Sequence, residues 1–492
     1  MKNLIKYSLL VLLVSVVLTS CFEENLNPVP KTAISDLSAF DTRSRIVSQV
    51  RGIYAAFKSG QYLGGRYLVY NDIRSDDWLN LGQNGVTGLL TWNHTLANST
   101  GEVQNLWGAI YASINRINMF VAGLDENQAR LISQNIITQA EFNQFKGEAL
   151  ALRGLAYSHL MQLYAQPFNR NPQGLGAVLR LTPSISAADN NMARVTLQAT
   201  YTQILKDLND AEVLLPVIPA TANSAAFVTQ VHRGTVAAIK SRVYLHMNDM
   251  PNVRLEANKI VSAAAPFTSA TGVQYRLAST FGSIFLTPYT TSESILSMPM
   301  SAAELPGTQN GLGHYFSASP VGNNEYPINT ASVVWSSPAF LATDARKTLT
   351  ETRVIGGVTQ TFIRKYTMGP SHTDWVPVIR YAEVLLNLAE AEARIAWPST
   401  RAVALLNEVY LRSNPGAAPL GGFASADAFV DRVMLERNME FLGEGIRNMD
   451  TKRRVASHLA KPGVGAVAPT APNYVWPIPL TELNTNLLVQ PN

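Results

Sequence analysis

Amphipathic helical segments that come in adjacent pairs are the strongest constraint on the fold of this chain. Residues 142–163 place apolar side chains at steps of three and four, the spacing of a helix with one buried face. Residues 228–247 and 252–264 form one pair, and residues 379–397 and 400–412 form another. Because only a few residues separate the members of each pair, each pair is predicted to form a helical hairpin.

The two hairpins resemble each other. In the first, small and apolar residues around Ala238 precede a turn at Asn248; in the second, residues around Ala391 precede a turn at Trp397. Further amphipathic stretches lie at 45–59, 103–122, 198–214 and 426–446. Small residues, a turn and a second amphipathic helix are typical of tetratricopeptide-like repeats. Stacked hairpins share one continuous core over a long chain, so we expect a mainly α fold, an α-α superhelix.

Two segments depart from this helical pattern. Residues 266–378 are rich in Gly, Ser, Thr, Pro and aromatic residues, with short β-like runs such as Ser294 to Met298, and residues 60–100 are similarly irregular. Long insertions without regular structure are usually functional in a compact domain. We therefore expect both segments to form a loop-rich, ligand-facing region with minor β structure, laid over the helices.

The N-terminus has the pattern of an export signal. Lys2 and Lys6 precede an apolar run too short to span a bilayer, and the run ends in Leu18-Thr19-Ser20-Cys21. This tetrapeptide resembles a bacterial lipobox, in which the cysteine is acylated and becomes the first residue. The alternative is an ordinary signal with a chance cysteine. We expect residues 1–20 to be removed, 21–44 to form a lipidated tether, and 45–492 to form a single domain.

Composition excludes several classes of site. Cys21 is the only cysteine, so the chain has no internal disulfide and no cysteine-rich metal site. The sequence pI of 9.0 reflects a net charge of only +4. The tight basic cluster Lys452-Arg453-Arg454 is interpreted as a solvated helix end, so nucleic acid is not an expected partner. The histidines are scattered without metal-binding spacing, and neither a metal nor a cofactor is expected.

Five motifs follow one another in the chain. They are Trp107-x-x-x-Tyr111-x-x-Ile114 with Asn118, Gly147-Glu148-Ala149-x-Ala151-x-Arg153-x-x-Ala156-Tyr157, Arg380-Tyr381-Ala382-Glu383-Val384-Leu385-Leu386-Asn387-x-Ala389-Glu390-Ala391, Glu436-Arg437-x-x-Glu440-Phe441-x-x-Glu444-Gly445-x-Arg447-x-x-Asp450-x-x-Arg453, and Pro477-Ile478-Pro479-x-x-Glu482 with Asn486. The motifs occur in this order behind a lipobox. Through them, essentially the whole mature chain resembles the SusD/RagB family of nutrient-binding outer-membrane lipoproteins. One departure is the ending Gln490-Pro491-Asn492, where the family usually has Gln-Asn-Pro.

The resemblance implies a fold, a location and a partner. Proteins of this family are mostly helical, with tetratricopeptide-like hairpins that support an irregular ligand-binding face. They lie on the cell surface, anchored in outer-membrane lipid through the acylated cysteine. There they act as a lid over a SusC-like TonB-dependent transporter, to which they pass oligosaccharides or other nutrients. They bind and do not catalyse, so no catalytic residue is expected.

The spacing of two carboxylates leaves an enzymatic alternative open. Glu440 and Glu444 are one helical turn apart, a separation that a glycosidase could use. However, Arg437, Arg447 and Arg453 are spaced so that they can pair with these acids. Pairing holds a carboxylate ionised, which is the reverse of what a general acid requires. We therefore expect an ion-pair network that stabilises the C-terminal hairpin, with no catalysis.

Aromatic and polar residues of the irregular segments are the candidate ligand contacts. Sugars stack their C–H faces on aromatic rings, while carboxylates, amides and guanidinium groups bind their hydroxyls. The candidates are Tyr70, Asp72, Arg74, Asp76, Trp78, Trp92, Tyr289, Tyr315 and Trp335. For any single ring, a place in the core is the commoner alternative.

The expected function is capture of a glycan or another nutrient for the transporter. Two alternatives remain: a lid that gates the transporter with little ligand affinity, and capture of peptides instead of glycans. An envelope glycosidase is a remote third. The identity of the ligand does not follow from the sequence.

Overall fold

Helices account for most of the regular structure. The computed structural model describes residues 38–82, 84–218, 225–269 and 272–492, so residues 1–20, Cys21 and most of the tether lie outside the described part. The helices are α1 (Arg43–Phe57), α2 (Arg66–Ile73), α3 (Leu89–Trp92), α4 (Gly101–Ser133), α5 (Gln139–Tyr164), α6 (Leu197–Leu214), α7 (Ala225–Thr229), α8 (Arg233–His246), α9 (Met250–Ala257), α10 (Leu312–Phe316), α11 (Tyr381–Ile395), α12 (Thr400–Ser413), α13 (Ala426–Glu440), α14 (Arg447–Arg453) and α15 (Leu480–Thr485). The strands are β1 (Ser294–Met298), β2 (Thr350–Ile355), β3 (Val358–Ile363) and β4 (Val376–Arg380). Among the described helices, none combines the length and the hydropathy that a membrane span needs.

Helix α5 lies at the centre of the stack. It begins with a capping box, in which Thr138 accepts a hydrogen bond from the backbone N–H of Glu141 and the Glu141 carboxylate accepts one from Thr138. It ends at Tyr164, three residues before Pro167, as the sequence predicts. Nearly every residue of its C-terminal two thirds is buried, because α4 and α6 both pack against it.

The two predicted hairpins are present and pack against each other. Asp249 caps α9 by accepting a hydrogen bond from the backbone N–H of Asn252, and Ser399 caps α12 through the N–H of Ala402. Along the chain, α1, α4, α5, α6, α8, α9, α11 and α12 each pack against the next. The prediction of a mainly α fold of tetratricopeptide-like hairpins is therefore confirmed.

Some predicted helix boundaries differ from the structure. The stretch 228–247 is interrupted, because the His232 ring accepts a hydrogen bond from the N–H of Gly234 and so begins α8 there. Helix α9 ends at Ala257, before the predicted limit of residue 264. Helix α4 continues to Ser133, beyond the predicted end at residue 122. Its last turns are polar and partly exposed, so no apolar stripe marks them in the sequence.

The segment 266–378 has little regular structure, as predicted. Strand β1 pairs antiparallel with β4, and β2 pairs antiparallel with β3. The β2–β3 hairpin turns at Gly356 and Gly357, which have φ values of 56° and 81°. Positive φ at both central turn positions favours glycine. The expected minor β structure is therefore present.

The segment 60–100 differs from its prediction, because much of it is inside the molecule. Helix α2 packs against α10 and α14, and all its residues are buried. After it, the backbone N–H of Leu79 donates to the carbonyl of Pro327 (2.9 Å), and the N–H of Asn329 donates to the carbonyl of Asp77 (2.7 Å). The segment thus lies between α14 and residues 310–330 of the irregular region, where it cannot form a ligand-facing surface along its whole length.

A buried ion-pair network joins the C-terminal motif to other segments. Glu440 pairs with Arg380 (3.1 Å) and Arg412 (2.5 Å), and Glu444 pairs with Arg380 (2.7 Å) and Lys365 (2.6 Å). The neighbouring arginines hold the pKa of Glu440 well below its usual range although burial opposes this. A carboxyl group held ionised in this way is unsuited to general acid catalysis.

The predicted partners of these carboxylates were wrong. Arg437 pairs with Asp450 (2.8 Å), Arg453 pairs with Glu390 (2.8 Å), and Arg447 reaches the irregular segment. Within the motif, Arg437 and Arg453 both bind Asp450, whereas its glutamates Glu440 and Glu444 bind cations from other segments. The pairs Arg447–Asp77 and Arg453–Glu390 join distant parts of the chain, which spacing within one motif cannot indicate.

The interpretation of the basic cluster also needs correction. Lys452 and Arg453 are buried, and only Arg454 is exposed. The Lys452 ammonium donates to the carbonyls of Gln162 (2.8 Å) and Ala165 (2.5 Å). These carbonyls lie at the C-terminal end of α5, where the helix has no further backbone N–H groups to bind them. The cluster is thus a packing element of the core.

Candidate ligand-binding site

Most of the predicted ligand contacts are buried. Seven of the nine have at most 7% of their surface exposed: Tyr70, Asp72, Arg74, Asp76, Trp78, Tyr289 and Tyr315. A sugar needs an open ring face or an accessible polar atom to bind. In this structure these seven side chains therefore serve the packing of the irregular region, and only Trp92 and Trp335 are partly exposed.

Trp78 is a core residue. Its ring packs on Phe316 with the centroids 4.4 Å apart, and it has no exposed surface. A short ladder between residues 77–81 and 325–329 covers the backbone on either side of it, with a bridge from Trp78 to Ile328. The ring is enclosed because its segment lies between two layers of the molecule, as described above.

The polar candidates of residues 70–78 are also enclosed. Arg74 donates to the carbonyl of Tyr474 (2.8 Å), and burial lowers the pKa of its guanidinium to about 10. Burial raises the pKa of Asp72 to about 7. Asp76 pairs with Arg447 (3.4 Å). None of these groups is placed to meet a ligand.

Asp76 has a second role, because it supports the loop that carries Trp335. Its Oδ2 accepts a hydrogen bond from the backbone N–H of Val333 (3.1 Å), and its carbonyl accepts one from the Asn329 amide (2.8 Å). The Ser332 hydroxyl then accepts the N–H of Trp335 (3.2 Å). Two predicted residues from the two irregular segments are thereby joined through one loop.

Trp335 presents an aromatic ring at the surface. Phe340 packs edge-on against it with the centroids 5.4 Å apart, and the Lys347 ammonium lies 5.0 Å from the ring centroid. The indole N–H makes no hydrogen bond to the described residues, so it remains available to a sugar hydroxyl. Val333, two residues earlier, is 59% exposed. A partly exposed ring with a free donor and an apolar neighbour can bind one face of a sugar.

The other partly exposed candidate, Trp92, is less available. Its indole N–H donates to the carbonyl of Trp78 (2.8 Å), and the Lys461 ammonium lies 4.9 Å from its ring centroid. That ammonium also donates to the carbonyl of Ile73 (2.7 Å), so it is fixed in place. Trp92 therefore packs over the backbone of Trp78, and its indole N–H is not free to bind a ligand.

Tyr289 and Trp375 form a separate aromatic pair. Their rings stack with centroids 5.5 Å apart, and the Tyr289 hydroxyl donates to Asp374 (3.3 Å). Burial raises the pKa of Tyr289 to about 12. Trp375 is partly exposed, so it is a second ring that a ligand could reach, and Tyr289 supports it from beneath. Tyr315 is enclosed, with its hydroxyl bonded to the carbonyl of Gln309 (2.8 Å).

Sequence reasoning missed the residues that shape the Trp335 site. Lys347 was not singled out, because one lysine twelve positions from a tryptophan carries no recognisable pattern. Asn329 and Ser332 were missed for the same reason, since their role is to position the loop. A run of polar and small residues around an isolated tryptophan was the only available signal.

Comparisons with known proteins give the family of the chain. The family described as "Starch-binding associating with outer membrane" matches residues 45–245, and the SusD family matches residues 338–492. A SusD superfamily protein from Bacteroides fragilis has a similar structure, with 30% identity and a TM-score of 0.81, over 92% of this chain and 99% of that one. The chain therefore belongs to the SusD family, as its motifs predicted, and this family is associated with the outer membrane.

Two further relatives have lower sequence identity to this chain. The SusD-like protein P2 of Formosa agariphila is 24% identical, over 99% of this chain and 98% of that protein. The surface glycan-binding protein A of Bacteroides thetaiotaomicron, whose structure contains laminarihexaose, is 17% identical with a TM-score of 0.69. This match covers 90% of the present chain and 97% of the other.

Proposed function

We propose that this protein is a lipid-anchored cell-surface protein that binds an oligosaccharide and passes it to a SusC-like TonB-dependent transporter in the outer membrane. In this proposal residues 1–20 are removed, Cys21 is acylated, and residues 21–44 connect the anchor to a single domain of residues 45–492. Several acyl chains on one cysteine give a stable membrane attachment, whereas a single chain gives only a marginal one.

The observation that carries the binding proposal is the partly exposed Trp335 with its free indole N–H. Around it, buried Asp76 and Ser332 fix the loop, so little order has to be imposed when a ligand binds. The laminarihexaose complex of the Bacteroides thetaiotaomicron protein supports an oligosaccharide as the ligand class. Each ring contributes on the order of 1 kcal/mol beyond its buried area, so a site of a few contacts has only modest affinity.

Isothermal titration of the full mature chain carrying Cys21→Ser tests the binding step. Laminarihexaose and a panel of other oligosaccharides serve as ligands. We expect Trp335→Ala to weaken binding about tenfold, because it removes the stacking ring and the indole donor. Tyr244→Ala, which alters a partly exposed ring on the helical stack, serves as the matched control and should leave the affinity unchanged. Absence of binding to every oligosaccharide would contradict the proposal.

A lid with little affinity of its own is the second candidate. The burial of seven predicted contacts favours it, because the accessible aromatic surface is small. Capture of peptides is the alternative ligand class. Growth on the transported nutrient distinguishes a lid from a ligand-binding protein. A Trp335→Ala strain with normal protein levels should grow more slowly if the ring captures ligand. It should grow at the normal rate if the protein is only a lid.

Two experiments test the anchor and the partner. Metabolic labelling with an alkyne fatty acid should mark the wild-type protein but not the Cys21→Ser variant. Affinity purification from solubilised outer membranes should recover a TonB-dependent transporter with the wild-type protein. Recovery of the protein without any transporter under mild solubilisation would contradict the delivery step.

A further inference from the structure

A lysine stands beside the exposed ring of the candidate site. The Lys347 ammonium lies 5.0 Å from the centroid of Trp335 and 4.4 Å from that of Phe340, within the range of cation–π attraction. It makes one hydrogen bond among the described residues, to the carbonyl of Phe340 (2.8 Å). An ammonium has three N–H donors, so two remain for water or a ligand.

The charge of Lys347 has no carboxylate partner in the described structure. Asp344, three residues earlier, is buried and pairs with Arg346 (2.6 Å) and with the Asn414 amide (2.8 Å). Glu351, at the start of β2, pairs with Arg353 (2.8 Å). Each acid that follows the Trp335 loop up to residue 364 is thus already paired with an arginine.

The acids beneath the loop also have an arginine partner, which they share. Asp76 and Asp77 both pair with Arg447, at 3.4 Å and 3.1 Å. Among the described residues, Lys347 therefore keeps beside Trp335 a positive charge that forms no ion pair with a carboxylate.

We infer that the site at Trp335 takes an anionic sugar residue, a uronate or a sulfate ester, and that Lys347 is the residue that selects it. The inference rests on the proposed function and adds the substrate class. The ring binds the apolar face of the sugar, while the ammonium donates to the anionic oxygens. Charge-assisted hydrogen bonds of this kind are shorter and stronger than those to neutral hydroxyls.

A purely structural role for Lys347 makes a different prediction. If its contacts to Phe340 only stabilise the loop, replacing Lys347 lowers the stability and weakens all ligands equally. If it selects a charge, replacing it changes the preference between charged and neutral ligands. Partial burial lowers the pKa of Lys347, because burial disfavours the charged form of the ammonium. An anion that pairs with the ammonium offsets this penalty.

Matched pairs of ligands test the inference on the full mature chain carrying Cys21→Ser. One set consists of laminarihexaose, its C6-oxidised form with carboxylates, and its sulfated form. The other set consists of hexagalacturonate and its methyl ester. Affinities are measured by titration for the wild type, Lys347→Met, Lys347→Arg and Lys206→Met. The last variant removes an exposed lysine of α6 and therefore controls for net charge.

We expect the wild type to bind the anionic member of a pair about tenfold more tightly than the neutral member. Lys347→Met should bring this ratio close to one while changing the neutral affinity little, and Lys347→Arg and Lys206→Met should keep the ratio. The carboxylated and sulfated arms show which anion is preferred.

A ratio near one in the wild type, or a ratio that Lys347→Met leaves unchanged, would overturn the inference while the proposed function stands. Binding of no member of either set would instead count against the proposed function itself. A loss of all affinities in Lys347→Met together with Lys347→Arg indicates a structural role and likewise overturns the inference.

Discussion

Two segments with similar kinds of side chain lie in different surroundings in this protein. Residues 70–78 and residues 329–347 each mix aromatic rings with acids, amides and arginines or lysines. In the first, every side chain is buried; in the second, Trp335 and Lys347 reach the surface. The difference comes from position, because the first segment lies between two layers and the second lies at their edge. Composition alone therefore does not separate a ligand platform from a packed core.

The largest effect expected from this comparison is on stability at Trp78. Trp78→Ala removes a fully buried ring that packs on Phe316, and such truncations cost about 3–5 kcal/mol of unfolding free energy. Trp335→Ala, the matched change at the surface, should cost about 1 kcal/mol or less. Urea unfolding followed by circular dichroism measures both values. Equal costs at the two positions would remove the distinction between the segments.

A smaller effect is expected at Asp76, which connects the two segments. Asp76→Ala leaves the N–H of Val333 and one side of Arg447 without a partner, at a cost of about 2–3 kcal/mol. It should also weaken oligosaccharide binding, because the Trp335 loop loses its support. Asp431→Ala removes an exposed acid that pairs with Arg454, and unfolding experiments should find it within about 0.5 kcal/mol of the wild type.

The pH dependence of stability gives a third test of the buried segment. The pKa of Asp72 is raised from 3.8 to about 7 in the folded protein, mainly by burial, so folding favours its protonated form. Its contribution to stability is therefore fully present below pH 3.8 and is lost as the pH rises through about 7. The loss is at most about 1.4 kcal/mol per pH unit.

Asp72→Asn isolates this contribution, since asparagine does not titrate. Relative to the wild type, the variant should become progressively more stable as the pH rises from 4 to 7, and unfolding in urea at several pH values measures the difference. A difference between the two proteins that does not change with pH would mean that Asp72 is ionised in the folded state at all these values.

The sequence allowed the helical part to be predicted because its side chains have a clear period. The stripe of residues 142–163 and the turn before Pro251 fall where α5 and α9 are found. Helix α2 was missed, since it is buried on all sides and shows no polar face. Period-based reasoning detects helices at a boundary between core and solvent, and it fails for a helix enclosed by other segments.

The candidate site could be predicted only in part, for a related reason. Trp335 was singled out from its residue type, but so were Trp78 and Tyr315, which are enclosed. Which rings are covered depends on contacts between residues far apart in the sequence, such as the ladder that joins Leu79 to Pro327. The same holds for Arg447 and Arg453 of the C-terminal motif, which pair with Asp77 and Glu390 in other segments.

A crystal structure of the mature protein with a bound oligosaccharide tests the central claim most directly, that ligand is captured at Trp335. The account predicts a sugar ring stacked on the exposed face of Trp335, with the indole N–H donating to a sugar hydroxyl and with Trp78 still enclosed beneath Phe316. A sugar bound away from Trp335, or one that contacts Trp78 after the layers separate, would contradict it.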